Sequence, residues 1–311
     1  MTFSSALLMP QGHNLELRHA QKAISSQTTI AIRELTTFDD LRKIEEVEKT
    51  VWNVSDQDLL PLTFIVASKE AGSIWLGAFE GSRLVGFAFA FLGRENGRGT
   101  LHSHMLAVRE QYRDLNLGYK LKLAQRDRAL ALGIQQITWT FDPLQSKNAH
   151  LNFAKLGVVS AKYKIDFYGP ETSSTLHRNG TDRLWVEWHL ASKHVQQRLQ
   201  GKTSRAEVLE ILSRLQPLVG FDGSGRPARN DLAAALARQR ISIEIPGDIN
   251  LLQEKDPQLA REWRLATRWA FMESVNAGFF VAEFCRSIRG KQGPSAYLLQ
   301  KGPIEEFIPQ F

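Results

Sequence analysis

Residues Leu101 to Gly118 read LHSHMLAVREQYRDLNLG and hold most of the chemistry this chain can offer. A strand-like run ends at Val108, a polar turn follows, and Arg113-Asp114-Leu115-Asn116-Leu117-Gly118 opens a helical pattern to Leu132. The first N–H groups of a helix have no partner inside it, and the macrodipole puts partial positive charge there. A strand feeding a tight turn and a helix start is therefore an anion site, and a pyrophosphate fits it without an acid–base residue. His102 and His104, two apart on the strand run, face the same side. Either imidazole could deprotonate an incoming ammonium or hold a substrate carboxylate. A satisfied, partly buried histidine pair is the plainer reading. A metal would need further ligands, such as Asp142 or Glu80, and none is expected here.

A second block, IQQITWTFDPLQSKNAHLNFAKLG, spans residues 134–157. Ile134 to Phe141 reads as a strand stopped by Asp142-Pro143. Asn148 to Leu156 reads as a short helix, with Asn148 as its N-cap and Gly157 as its C-cap. Asp142 could hold or deprotonate an amine, or simply form the turn. Asp182-Arg183 enters a later strand, where the arginine could bind a carboxylate in a bidentate manner or form a local ion pair.

These residues resemble the acyl-CoA-binding core of the GNAT N-acyltransferase superfamily, whose signature is Arg/Gln-x-x-Gly-x-Gly/Ala after a strand. Arg113 and Gly118 match its ends. Asn116 replaces the middle glycine, Asp114 stands where many members have another, and Glu110 where many have proline. Asn tolerates positive φ better than other non-glycine residues, so the turn survives. The family's later Asn…Tyr-x-x-(Leu)-Gly helix is matched by Asn148, Asn152-Phe153 and Leu156-Gly157, and its second hairpin turn by Glu80 to Gly86. HSHML, WTFDPLQSKNAHLN and DRLWVEW resemble a subgroup of predicted GNAT-like acetyltransferases, some of whose relatives are associated with N-acylation of amino acids, including N-succinylation.

The resemblance covers about residues 28–192. It implies an α/β (α+β) fold: a mixed, mostly antiparallel sheet with flanking helices. It implies acetyl-CoA or another acyl-CoA as cosubstrate. The pantetheine arm would lie along the backbone of Leu106, Ala107 and Val108, and the pyrophosphate against Arg113, Asp114, Leu115, Asn116, Leu117 and Gly118. Asn148 and Phe153 would complete the cofactor contacts, and His104, His102 and Asp142 would serve the amine. Many members have a tyrosine at the Phe153 position to protonate the leaving thiolate. Phenylalanine cannot, so water, Tyr112, Tyr119 or Tyr163 would have to. The expected activity is transfer of a short acyl group to a primary amine, an amino acid being one candidate, by direct attack. The rivals are a non-catalytic acyl-CoA-binding module and a structural scaffold.

Composition excludes several classes. The chain has 311 residues, 43% of them apolar, which suits one large or two ordinary globular domains. Its single cysteine, Cys285, rules out an internal disulfide framework and lies in the apolar string GFFVAEFC, the setting of an inert thiol. The Ala6–Met9 apolar run is cut by Pro10, so no signal peptide is read, and no run approaches the ~20 apolar residues of a membrane helix. A cytoplasmic protein is expected. The net charge of +6 comes from interspersed residues rather than a basic block with exposed aromatics, so neither nucleic acid nor membrane is expected as a partner.

Three segments follow. Residues 1–27 read as a flexible N-terminal tail and 28–192 as the acyl-CoA-binding domain. Within the latter, helices are predicted over Phe38–Val51 and Pro61–Ala71, and antiparallel strands over Ile74–Phe79, Leu84–Leu92 and Thr100–Val108. Further strands are predicted at Val158–Tyr168 and Arg183–Leu190. The pattern breaks around Ser192–Gly201. Residues 193–311 then read as a smaller C-terminal α/β unit with a strand at Ile241–Ile245, a long helix at Asp256–Asn276, and strands at Gly278–Cys285 and Ala296–Gln300. Its aromatic content requires a cover, which makes it a lid over the amine side of the cleft or a homodimerisation element.

Overall fold

The computed structural model describes residues 29–95, 97–169, 178–290 and 293–304, so the expected N-terminal tail lies outside the described residues. Strand β1 (Ile30–Glu34) leads into α1 (Phe38–Trp52). Thr37 caps that helix by accepting from the Asp40 N–H at 3.1 Å, and Asn53 ends it at φ 49°. Leu41, Ile44 and Val47 recur at helical spacing and are buried. Helix α2 (Leu62–Glu70) starts directly after Pro61, which needs no N–H there. Strands β2 (Ile74–Glu80), β3 (Arg83–Glu95) and β4 (Arg98–Val108) form an antiparallel meander.

Two irregularities in β4 shape everything after it. Against β3, Phe89 pairs with Met105 and Ala90 with Ser103, so His104 is an extra, bulged residue. Before the bulge, Leu101 and Ser103 face helix α3 (Leu117–Ala131); after it, Leu106 and Val108 do, while Ala107 joins the α1–α2 core. The second irregularity is on the other edge. β4 runs parallel to β5 (Gln136–Phe141) and pairs with it only at Leu101–Ile137 and His102–Thr138. From Ser103 onward the two strands part.

After β5 the chain turns through Asp142 into a helix that begins at Ser146 rather than Asn148. Gln145, not Asn148, stands at its N-cap; Asn148 sits within the first turn. We label Ser146–Ala149 α4; it continues from His150 to Leu156 in π-helical form and ends at Gly157, whose φ of 72° closes it as expected. β6 (Val159–Lys164) and β7 (Arg183–His189) follow, with β7 inserted between β5 and β6. Ser192 then caps a short helix, α5 (Lys193–Leu199), where sequence pattern shows only a break.

The C-terminal residues extend the same sheet. They comprise α6 (Arg205–Ser213), β8 (Val219–Phe221), β9 (Pro227–Arg229), α7 (Leu232–Leu236), β10 (Arg240–Ile245), α8 (Ile249–Lys255), α9 (Pro257–Asn276), β11 (Phe279–Cys285) and β12 (Ser295–Lys301). β11 pairs with β6 at Val281–Ser160, and among the described residues one 12-stranded sheet runs β1-β2-β3-β4-β5-β7-β6-β11-β12-β10-β8-β9. The main hydrophobic core is likewise continuous, from Ile74 through Phe153 and Trp188 to Trp263, Phe271 and Tyr297.

Buried polar links reinforce the junction. Tyr297 donates to the Pro143 carbonyl at 2.6 Å, and Ser146 and Ser295 share a hydrogen bond at 2.9 Å. From α9, Arg264 pairs with Asp142 at 2.7 Å, and Arg268 reaches both oxygens of Asp182 at 2.7 and 2.8 Å. Burial pushes the Asp182 carboxyl up, but hydrogen bonds from Arg268 and Tyr163 outweigh it and hold the group below its ordinary range. Its folded pKa is thus the lower one, so this contribution to stability is full above about pH 4 and is lost as pH falls through the folded value. Arg268→Ala should destabilise the protein by on the order of 3 kcal/mol by leaving a buried carboxylate without its cation. Urea unfolding at neutral pH checks the magnitude. The gap between variant and parent should shrink in acid.

Candidate active site

The parting of β4 and β5 opens a cavity of about 830 Å³. β4 supplies Ser103 to Leu106, β5 and its turn supply Trp139 to Asp142, and α4 supplies Gln145 and Asn148. Trp52 of α1 and Lys122 of α3 also line it. The β6–β7 connection adds Tyr168, Arg178 and Asn179, with Arg183 at the start of β7. Ile249, Asn250, Gln253 and Glu254 of α8 close one side, so the C-terminal residues form part of the wall. Asn250 is tied to Gln145 by reciprocal amide hydrogen bonds of 2.9 and 3.3 Å.

The expected residues divide into those the cavity gathers and those it does not. His104, Leu106, Asp142 and Asn148 line it. His102 does not: its ring lies 4.8 Å from that of Trp185, and its Nδ1 is 3.0 Å from Thr138 Oγ1. Burial, with neighbouring charge from His104 and Lys122, pushes His102 down to about 4. Burial also lowers His104, so both imidazoles are neutral at physiological pH. The two rings are 6.4 Å apart, on one side of the strand as their spacing predicts.

Asp142 is already engaged. Its Oδ1 accepts from the Leu144 N–H at 3.0 Å and from Arg264 at 2.7 Å, so the carboxylate fixes the turn and anchors α9 rather than standing free as a base. Phe153 is a correction too. It is wholly buried, packed against Phe141 and Tyr297 with ring centroids 6.1 and 5.8 Å away, and belongs to the core rather than the cavity wall. Two of the three tyrosines that could supply an acid in its place are engaged elsewhere. Tyr112 donates to Glu80, and Tyr163 donates to Asp182 at 2.6 Å. Tyr168, which pattern alone does not single out, is a phenol in the cavity wall, 3.5 Å from Thr140 Oγ1.

Beside the cavity, the turn from Arg109 forms a 3₁₀ segment over Glu110–Leu115, then Asn116 takes the left-handed conformation at φ 58°. α3 starts at Leu117 with no side-chain cap on its first N–H groups. Arg113 and Asp114 are exposed and Leu117 is buried. Gly118 has room: a Cβ there would meet Leu106 and Leu151 no closer than 3.7 and 4.0 Å. Packing therefore does not require this glycine, whereas close approach of a ligand to its backbone would. Lys155 reaches over from the π-helical turn to donate to Asn116 Oδ1 at 3.1 Å, adding a second cation that the sequence does not reveal.

The same stretch of chain is similar to known proteins. Residues 38–158 match the family model described as "Acetyltransferase (GNAT) family". The matched stretch includes both the splayed strands and the uncapped α3 terminus. Similar solved structures include the ribosomal-protein-S18-alanine N-acetyltransferase from Escherichia coli, at 15% identity over 52% of this chain and 94% of that one, TM-score 0.42. Another is yncA from Salmonella typhimurium with its cofactor acetyl-CoA, at 18% identity, 52% and 95% coverage, TM-score 0.42. A third is Arabidopsis thaliana NAA60 in complex with a bisubstrate analogue, at 14% identity, 51% and 97% coverage, TM-score 0.42. No curated protein matches the chain. No helix among the described residues is long and apolar enough to cross a membrane.

The half-buried His102 ring gives a check on the β4–β5 pairing beside the cavity. Because the folded pKa of His102 is the lower one, the native state loses stability as pH falls from the ordinary histidine value of about 6.5 toward about 4. NMR titration should show the His102 ring still neutral at about pH 5, where an ordinary histidine is charged. A titration midpoint near the ordinary value would mean that the ring is not enclosed between Thr138 and Trp185.

Proposed function

We propose that this chain is an acyl-CoA-dependent N-acyltransferase that moves a short acyl group to a primary amine. The observation that carries the reading is the parting of β4 from β5 beside the uncapped start of α3. From Ser103 to Val108 one backbone edge of β4 has no strand partner on β5, and an extended amide-bearing arm can bond to it as an added strand does. The donor's pyrophosphate would meet the α3 N–H groups at Gly118, with Arg113 and Lys155 as flanking cations.

The amine attacks the thioester carbonyl directly, and no covalent enzyme intermediate is needed. Proximity in the cleft and backbone N–H groups aimed at the developing oxyanion supply most of the acceleration. His104 is the neutral imidazole placed in the cavity to take the ammonium proton, and Tyr168 is the phenol placed there to meet the leaving thiolate. Burial pushes the pKa of Arg183 down without neutralising a guanidinium. The guanidinium lies over the Tyr168 ring at 5.2 Å and bonds the Asp182 carbonyl at 2.9 Å. A cation so placed fits a carboxylate on the acceptor, which favours an amino acid over a simple amine. The C-terminal residues act as a fixed wall through α8 and set which acceptors enter.

Gly118→Val should abolish CoA binding in calorimetry while the protein stays folded, because the added side chain occupies the approach to the α3 N–H groups. Arg113→Ala should weaken binding more modestly. His104→Ala should cut turnover by about 10²-fold or more with CoA affinity nearly unchanged. A thiol-release assay over a panel of amines and amino acids measures it. Unchanged CoA affinity in a folded Gly118→Val protein would move the donor site elsewhere.

A further inference from the structure

Lys122 stands in the cavity wall with no task in the reaction above. It lies on α3, is 3% exposed, and has no acidic partner among the described residues; burial alone governs its titration and drives it well below an ordinary lysine. Lys162, by contrast, is paired with Glu95 and Glu187 and is held charged. The titratable group facing Lys122 across the sheet is His102, with His104 beyond it, and neither supplies negative charge.

Two contacts hold Nζ, and neither supplies a negative charge. Ser103 Oγ gives its own hydrogen to Gln125 Oε1 at 2.9 Å and so must accept from Lys122, whose Nζ lies 2.7 Å away. Nζ also sits over the Trp139 ring, 3.6 Å from its centroid, where an N–H meets the negative π face. A neutral amine has two N–H bonds and one lone pair. Ser103 and Trp139 use the two N–H bonds and leave the lone pair uncommitted. Ser103 and Trp139 themselves line the cavity, on the two strands that part to form it.

We propose that Lys122 is a self-acylation site. The inference rests on the acyl-CoA reading of the cavity. The Nζ lone pair attacks the thioester carbonyl of bound acyl-CoA, the carbon–sulfur bond breaks, and the CoA thiolate leaves with the proton shed by nitrogen. The products are Nε-acyl-Lys122 and CoA. An amide is neither nucleophilic nor a ready acyl donor, so the group stays, fills the cleft and stops further turnover. The acceptor amine competes with Lys122 for the same thioester. Self-acylation is therefore fastest when acyl-CoA is abundant and acceptor scarce, which makes it a self-limiting brake.

The test uses the full chain incubated with acetyl-CoA and no amine, followed by peptide mass mapping, with CoA affinity measured by calorimetry on the same preparation. We expect one acetyl group on Lys122, lost activity in proportion to it, and suppression by CoA. The rate at Lys122 should be nearly flat from about pH 6 to about pH 9, because the amine is already neutral, whereas exposed lysines gain about tenfold per pH unit below their pKa. Lys122→Met should show no modification at that peptide and no time-dependent loss of activity. If CoA binds but Lys122 stays unmodified, or acetylates with the steep pH dependence of exposed lysines, the inference is overturned and the acyl-CoA reading stands. Absence of CoA binding overturns both.

Discussion

The whole arrangement depends on an unpaired strand edge. β4 and β5 keep two register pairs, at Leu101 and His102, and then separate. Backbone N–H and C=O groups rarely stay buried without partners, so a sheet interrupted between two inner strands is costly unless something else completes it. The surrounding structure allows the gap: β3 holds β4 on one side, β7 holds β5 on the other, and α3 spans beneath. The bulge at His104 re-aims β4 at the same point, which turns one imidazole into the cavity while its neighbour Ser103 faces α3. One extra residue thereby gives the two faces of the cleft different chemistry, a histidine on one and a serine–lysine pair on the other.

Much of this was legible from residue order. The meander, the close of the π-helical segment at Gly157 and the start of α3 after Asn116 follow from apolar periodicity and from glycine and asparagine at strand and helix ends. The histidine pair lies on one side of its strand as a period of two requires. Other features depend on contacts between residues far apart in sequence, and pattern cannot show them. Asp142 reads as a free carboxylate until Arg264, more than a hundred residues later, is found on it. Phe153 reads as a cofactor contact until Phe141 and Tyr297 enclose it. Lys122 sits in a helix whose apolar periodicity says little, and nothing local marks it as buried. The N-cap lies three residues before Asn148, at Gln145, because Asn is a strong cap by pattern and Gln a weak one.

The C-terminal residues look in sequence like an appended unit with its own strands and helices. The sheet and the main core run through the boundary without a break. The aromatic residues that demand a cover find it in place: Trp263 and Phe271 are wholly buried against the central core, and Phe280 against β6. Arg264 and Arg268 carry the junction in polar terms, Arg264 ending on Asp142 in the cleft wall and Arg268 on the buried Asp182. α8, with Gln253 and Glu254, is held at that rim by the same packing.

The junction also bears on how the molecule is made. Tyr297 closes onto Pro143, and Ser295 onto Ser146, across some 150 residues of chain. Contacts of such sequence separation form late, since the loop entropy must be lost before they reward it. During synthesis the first strands and α3 can assemble while the ribosome is still adding α8, α9 and β12. The cleft wall is incomplete through that interval and closes only when the last strand docks. Until then a nascent chain holds the turn before α3 formed and the apolar wall of the cleft uncovered.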